Sequence, residues 1–264
     1  MADKSKISWT DTTWSPVTGC SRVSPGCLNC YSERLTAGRL SRQPRYTGLT
    51  DQEGHWTGEV RCHPELLDQP LHWKKPRRIF VCSMSDLFHS KVPWEFAAQV
   101  FDVMVQCPQH CFQILTKRPG RLAAFAEWWT DLRCVEWPDW IWVGTSVESQ
   151  KYAPRLDCLA RVPAKVRFVS VEPLLSPVEL YPYFFKCSGC GAQPCTCKGL
   201  AINQVIVGGE SGPNYRPMEI DWLKNIAAEC DHVGARLFVK QDSGQFPGKQ
   251  GRIPGALWAR KEMP

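Results

Sequence analysis

The chain has 264 residues, 43% of them apolar and 22% charged, with a formal net charge of +6. This is the balance of a globular chain with a sizeable core, and it excludes a disordered polyelectrolyte or a histone-like polycation. No apolar run approaches the roughly 18 residues of a membrane span, so no membrane partner is expected.

Fourteen cysteines and a polar opening, MADKSKISW, point to a cytoplasmic protein whose thiols are reduced, buried or metal-bound. In chain order, a short first strand is expected at residues 14–17. It feeds a loop at 13–31, TWSPVTGCSRVSPGCLNCY, too rich in Gly, Pro and Ser to be helix or strand. Residues 31–40 read as a helix. Apolar runs then recur at 79–82, 111–115, 140–144, 166–169, 205–207 and 237–239, each ending in a polar tip. Between them, 94–105, 121–129, 150–160 and 221–232 have helical length and spacing. Short, continuously apolar runs alternating with helices predict a parallel sheet built of βαβ units. The fold class expected is therefore α/β, with six or seven parallel strands in one domain spanning 1–264. A Cys-rich insertion at 186–199 interrupts it. Cys82, Cys107, Cys111, Cys134, Cys158 and Cys230 stand singly and read as small core residues.

Chemistry concentrates in two cysteine groups and in the tips. Cys20, Cys27 and Cys30 stand at C-x6-C-x2-C with no fourth Cys nearby. Three thiolates from one loop suit a soft metal or an iron–sulfur cluster with one iron left open; a remote fourth ligand would make a closed zinc site instead. Cys187, Cys190, Cys195 and Cys197, at C-x2-C-x4-C-x-C, are spaced for a structural Zn2+ knuckle. In parallel α/β folds function collects past the C-terminal strand ends, where these tips lie. They read SMSD (83–86), TKRP (116–119), TSVES (145–149), SVEP (170–173), GGESGP (208–213) and KQD (240–242). Gly208 and Gly209 would let backbone approach a ligand closely. Basic residues gather at Arg34, Arg39, Arg42 and Arg45 and again at Lys74, Lys75, Arg77 and Arg78. With Tyr46, Trp56 and Trp73 close by, they suggest a nucleic-acid or nucleotide partner.

Taken together, WTDTTWSPVTGC (9–20), SPGCLNCY (24–31), FVCSMSDLF (80–88), LTKRP (115–119), SVESQ (146–150), FVSVEPLL (168–175), VGGESGP (207–213) and FVKQ (238–241) span nearly the whole chain. The sequence resembles the radical S-adenosylmethionine (SAM) superfamily, and within it the phage-associated three-cysteine-motif proteins. The resemblance implies a partial (β/α) barrel, a 4Fe–4S cluster on Cys20, Cys27 and Cys30, and SAM bound at the open iron. It also implies reductive cleavage of SAM to methionine and a 5′-deoxyadenosyl radical. The first gap is three residues longer than the superfamily's C-x3-C-x2-C, and Asn29 stands where an aromatic usually precedes the last Cys.

For the SAM amine the resemblance leaves two acceptors: Ser83, Ser85 and Asp86 after the second strand, or Glu210 of Gly208-Gly209-Glu210. Lys117 and Arg118 would meet the SAM carboxylate or a substrate phosphate, Ser146, Glu148 and Glu172 the ribose, and Lys240 and Gln241 the substrate. Such an enzyme needs an electron donor, and a protein partner is left open. The expected substrate is a nucleobase in DNA, RNA or a nucleotide. The competing readings are the same chemistry on a small metabolite or peptide, and a non-enzymatic zinc module that binds nucleic acid.

Overall fold

The computed structural model describes residues 5–185 and 201–264. Cys187, Cys190, Cys195 and Cys197, with the zinc expected on them, lie outside the described residues. Nine strands occur there: β1 (Thr12–Trp14), β2 (Val17–Thr18), β3 (Arg61–Cys62), β4 (Arg78–Val81), β5 (Cys111–Thr116), β6 (Ile141–Ser146), β7 (Arg167–Val171), β8 (Gln204–Gly208) and β9 (Arg236–Gln241). The α-helices are α1 (Tyr31–Ala37), α2 (Trp94–Val105), α3 (Pro119–Arg133), α4 (Arg155–Ala160), α5 (Tyr181–Phe184), α6 (Ile220–Val233) and α7 (Gly255–Trp258). Seven strands form one all-parallel sheet in the order β1-β4-β5-β6-β7-β8-β9, curled into a half-barrel. The expected partial (β/α) barrel is the fold observed.

The two-residue period of a strand divides each apolar run between two cores. Ile79, Val81, Ile114, Val143, Val205 and Val239 pack outward with the helices. Phe80, Phe168, Ile206 and Phe238 point the other way and close around Trp9, with Leu115 and Trp142 against them. The half-barrel is thus plugged by aromatic side chains below its C-terminal edge. Gly144 on β6 is part of that plug: a Cβ there would sit 2.5 Å from the Phe168 ring, so the missing side chain is the space the ring fills.

Departures from the expected boundaries have local causes. Pro16 divides the first run, so β1 stops at Trp14 and β2 pairs antiparallel with β3. Strands β5, β6 and β9 continue into their polar tips, because ladder hydrogen bonds are made by backbone whatever the side chain. Gly38 ends α1 early. Pro154 separates a 3-10 turn at Gln150–Tyr152 from α4, where one helix was expected. Of the single cysteines, Cys107 and Cys230 are buried as read, but Cys134 is exposed, in a left-handed conformation just past α3.

Three buried histidines make stability pH-dependent. Burial lowers the pKa of His63, His89 and His110, that of His89 to about 4 with Arg118 beside it. The unfolded chain takes up protons near pH 6.5 that the folded chain refuses. Stability is therefore complete above about pH 6.5 and falls as pH drops from there towards 4. Urea unfolding across that range should show a falling midpoint, and His110→Gln should flatten part of the slope.

Candidate active site

Past the C-terminal ends of β4 to β9 lies a cavity of about 230 Å3. Its wall on one side is the loop that carries Cys20, Cys27 and Cys30; its floor is Trp9, Phe80 and Leu115. Of the residues expected to bind cofactor or substrate, Ser83, Ser85, Asp86, Lys117, Arg118, Ser146, Glu172, Gly209, Glu210, Lys240 and Gln241 all line it. Glu148 and Gly208 do not. Gly208 lies beneath Glu172, whose Oε1 would be 2.8 Å from a Cβ there.

The loop is built from local turns. Gly19 has φ +88°, and a Cβ on it would strike the Glu59 carbonyl at 2.1 Å. A 3-10 turn at Pro25–Cys27 follows, and Cys30 then caps α1, its carbonyl accepting from Arg34 N at 3.1 Å. No cap bond holds Ser24 at the head of that turn. Its hydroxyl instead donates to Glu148 Oε1 at 2.5 Å.

Three buried carboxylates clamp this loop to the barrel. Asp86 accepts from Thr116 Oγ1 and Arg118 Nη1, each at 2.7 Å, and Arg118 Nη2 donates on to Ser21 Oγ at 2.9 Å. Ser21 Oγ also meets His89 Nε2 at 2.8 Å. Glu148, with no exposed side-chain surface, accepts from Lys117 Nζ, from Arg155 Nη1 at 2.9 Å and from Ser24. Burial alone would raise its carboxyl pKa; Lys117, Ser24 and Arg155 outweigh that and hold it low. Glu210 is held low in the same way, against its burial, by Arg216 and by Asn29 Nδ2 at 2.8 Å. Arg216 Nη2 then donates to the Pro25 carbonyl at 2.9 Å.

Together the clamps fix three stretches of the loop: Ser21 beside Cys20, Ser24–Gly26 before Cys27, which is held by both Glu148 and Arg216, and Asn29 beside Cys30. Ribose was the expected partner of Glu148, but its carboxylate is sealed beneath Gly26, where a Cβ would be 2.4 Å from Glu148 Cγ. Ser21, Ser24, Arg155 and Arg216 were not singled out from sequence, and Asn29 was noted there as a departure from the superfamily spacing motif, with no partner assigned. Their partners lie up to 191 residues away, and no local pattern marks such a pair.

The basic cluster at 74–78 stands where β4 begins, as its place before the run at 79–82 implies. Arg78 opens β4, whereas the cavity lies at that strand's C-terminal end with Phe80 in its floor, so Lys74, Lys75, Arg77 and Arg78 enter at the opposite edge of the sheet. Arg78 pairs with Asp11 at 3.1 Å, and Trp73 there packs under Arg77. Tyr46 is buried; of the three aromatic residues named with the basic groups, Trp56 reaches the cavity.

Three thiols from one loop are donors for a soft metal or an iron–sulfur cluster. Cys20, Cys27 and Cys30 are free thiols on one cavity wall. Yet among the described residues no three His, Cys, Asp or Glu side chains gather closely enough to hold one metal ion. Burial, with Asp86 adding to it, pushes the metal-free Cys20 thiol up to about 12, so metal must displace a proton on loading.

No curated protein matches the chain. Among solved structures, two mutant forms of spore photoproduct lyase match over 92% of this chain and 78% of theirs, with a TM-score of 0.52 and identities of 12% and 11%. At that identity the match shows a shared fold. Among the described residues no helix is long and apolar enough to cross a membrane. Residues 4–256 match the family model described as "Protein of unknown function (DUF5131)", and the chain belongs to that family.

Proposed function

We propose that this protein is a radical SAM enzyme that acts on a nucleobase in nucleic acid or in a nucleotide. The observation that supports it most is the convergence of three free thiols and six polar strand ends on one cavity. Cys20, Cys27 and Cys30 would hold a 4Fe–4S cluster, and the three clamps would keep their loop fixed while it loads. When bound, such a cluster supplies the electron that splits SAM into methionine and a 5′-deoxyadenosyl radical. What the chain contributes is position and exclusion of water. The aromatic plug closes the floor, and inside the cavity Lys240 pairs with Glu172 at 2.8 Å, with Ser170 Oγ 3.1 Å from the same carboxylate.

Ser83, Ser85, Ser146, Gly209 and Gln241 supply neutral polar contacts on the cavity wall. Asp86, Arg118 and Glu210 already have partners within the chain, so their contribution to SAM runs through the loop they brace. The shared fold with a lyase named for a photoproduct, and the resemblance to the phage-associated three-cysteine-motif proteins, favour a nucleobase over a small metabolite. This is an argument from analogy.

The test is anaerobic: reconstituted protein, SAM and dithionite, with and without single-stranded DNA, RNA or nucleotides. Release of 5′-deoxyadenosine above a variant lacking all three loop cysteines is expected, rising with one of these substrates. No release with any of them would overturn the proposal.

A further inference from the structure

Four aromatic side chains line the cavity: Trp9, Phe80, Tyr31 and Trp56. Trp9 and Phe80 belong to the inner plug. Trp56 is half-buried, and among the described residues it packs into neither hydrophobic core and stacks on no other ring. A Trp placed so contributes little to folding, yet its backbone is held firmly. Its N–H donates to Glu33 Oε1 at 2.8 Å, and Trp56 bridges Thr50 in a short antiparallel contact. Glu33, on α1 directly after the cysteine loop, is 3% exposed and takes a bidentate pair from Arg22, at 3.0 and 2.6 Å. Arg22 reaches on to His55 Nδ1 at 2.7 Å. A buried carboxylate is costly to keep, and here it holds the main chain beneath a ring that the core does not need, together with Arg22 of the cysteine loop. Tyr31 is arranged alike: 43% exposed, outside both cores, its hydroxyl donating to the Ser83 carbonyl at 2.5 Å.

We propose that Trp56 stacks a planar nucleobase of the substrate strand at the cavity mouth, with Tyr31 as a second aromatic wall. The inference rests on the nucleic-acid reading above. A strand base is favoured over the adenine of SAM because Trp56 sits on the excursion between α1 and β3, outside the ring of strand ends. That same excursion carries Arg39, Arg42 and Arg45, exposed and with no ion-pair partner among the described residues, while its Glu59 is taken by Lys91 at 2.7 Å. Free guanidinium groups leading to a presented ring suit a phosphate backbone followed by a base. Stacking accepts any base, so specificity would lie deeper in the cavity.

The experiment uses anaerobically reconstituted wild type, Trp56→Ala and Trp56→Phe, matched for iron content so that a misassembled variant is recognised. A single-stranded oligonucleotide carrying 2-aminopurine reports stacking by quenching and affinity by anisotropy, and SAM binding is measured in parallel by equilibrium dialysis. Trp56→Ala should weaken oligonucleotide binding by about 5- to 150-fold and abolish the quench, Trp56→Phe should recover most of both, and SAM affinity should not change. Wild-type binding with no loss in Trp56→Ala overturns this inference and leaves the nucleic-acid reading standing. A loss of SAM affinity without loss of oligonucleotide assigns the ring to the cofactor and also overturns it. No oligonucleotide binding by wild type at any salt overturns this inference together with the nucleic-acid form of the proposed function, and leaves a free nucleotide as its substrate.

Discussion

Glu148→Ala should lower stability by about 3 kcal/mol, more than a surface carboxylate could. The reason is the fate of its partners. Lys117 and Arg155, with side chains 20% and 12% exposed, would keep their charges and lose the carboxylate between them. Ser24 would lose its acceptor in the same step. Because both cations retain some access to water, the lower end of the usual cost of breaking a buried pair applies. For a chain of this length that is a melting point lower by roughly 6–12 °C. Glu148→Gln keeps the shape and an acceptor for Ser24, so it should fall between wild type and Glu148→Ala. Thermal unfolding of the three metal-free proteins checks this. Equal melting points would mean that the clamp beneath Gly26 does not hold the loop.

The second large effect is on the metal. Replacing Cys20, Cys27 and Cys30 together by Ala should abolish iron uptake on anaerobic reconstitution, and each single replacement should cost most of it. Cys82 is the control. It lines the same cavity, is buried, and sits in a left-handed conformation at the end of β4 with φ 61°. Burial raises its pKa to about 12, against hydrogen bonds from Ser85 and from the backbone of Val17. Cys82→Ala should therefore retain iron. Iron lost in Cys82→Ala but kept in the triple variant would move the metal site off the loop.

Much of this architecture was legible in the sequence because it rests on local rules. Apolar runs such as 205–207 announce buried parallel strands, and the tips that follow them lie at one edge because parallel strands share a direction. For the same reason Ser83, Ser146 and Lys240 were found as cavity residues from their position just past a run. The clamps were not legible. Glu148 reads as one more polar tip; that it turns under Gly26 rather than into the cavity depends on Ser24, 124 residues earlier. Trp56 stood out in the sequence with Tyr46 and Trp73 as an aromatic residue near basic groups, but nothing there told which of the three reaches the cavity. Its place at the cavity follows from Glu33 and Arg22, a tertiary arrangement with no periodicity to betray it. The basic cluster at 74–78 precedes the run at 79–82, so its place at the entry edge of the sheet, away from the tips, was itself legible.

The central claim is that the loop cysteines carry a four-iron cluster with one open iron. Electron paramagnetic resonance of the reconstituted, dithionite-reduced protein, recorded without and with SAM, tests it most directly. The account predicts about four irons per chain, a reduced-cluster signal absent from the triple variant, and a change in that signal when SAM is added. A colourless protein that holds zinc on Cys20, Cys27 and Cys30 and gives no such signal would contradict it.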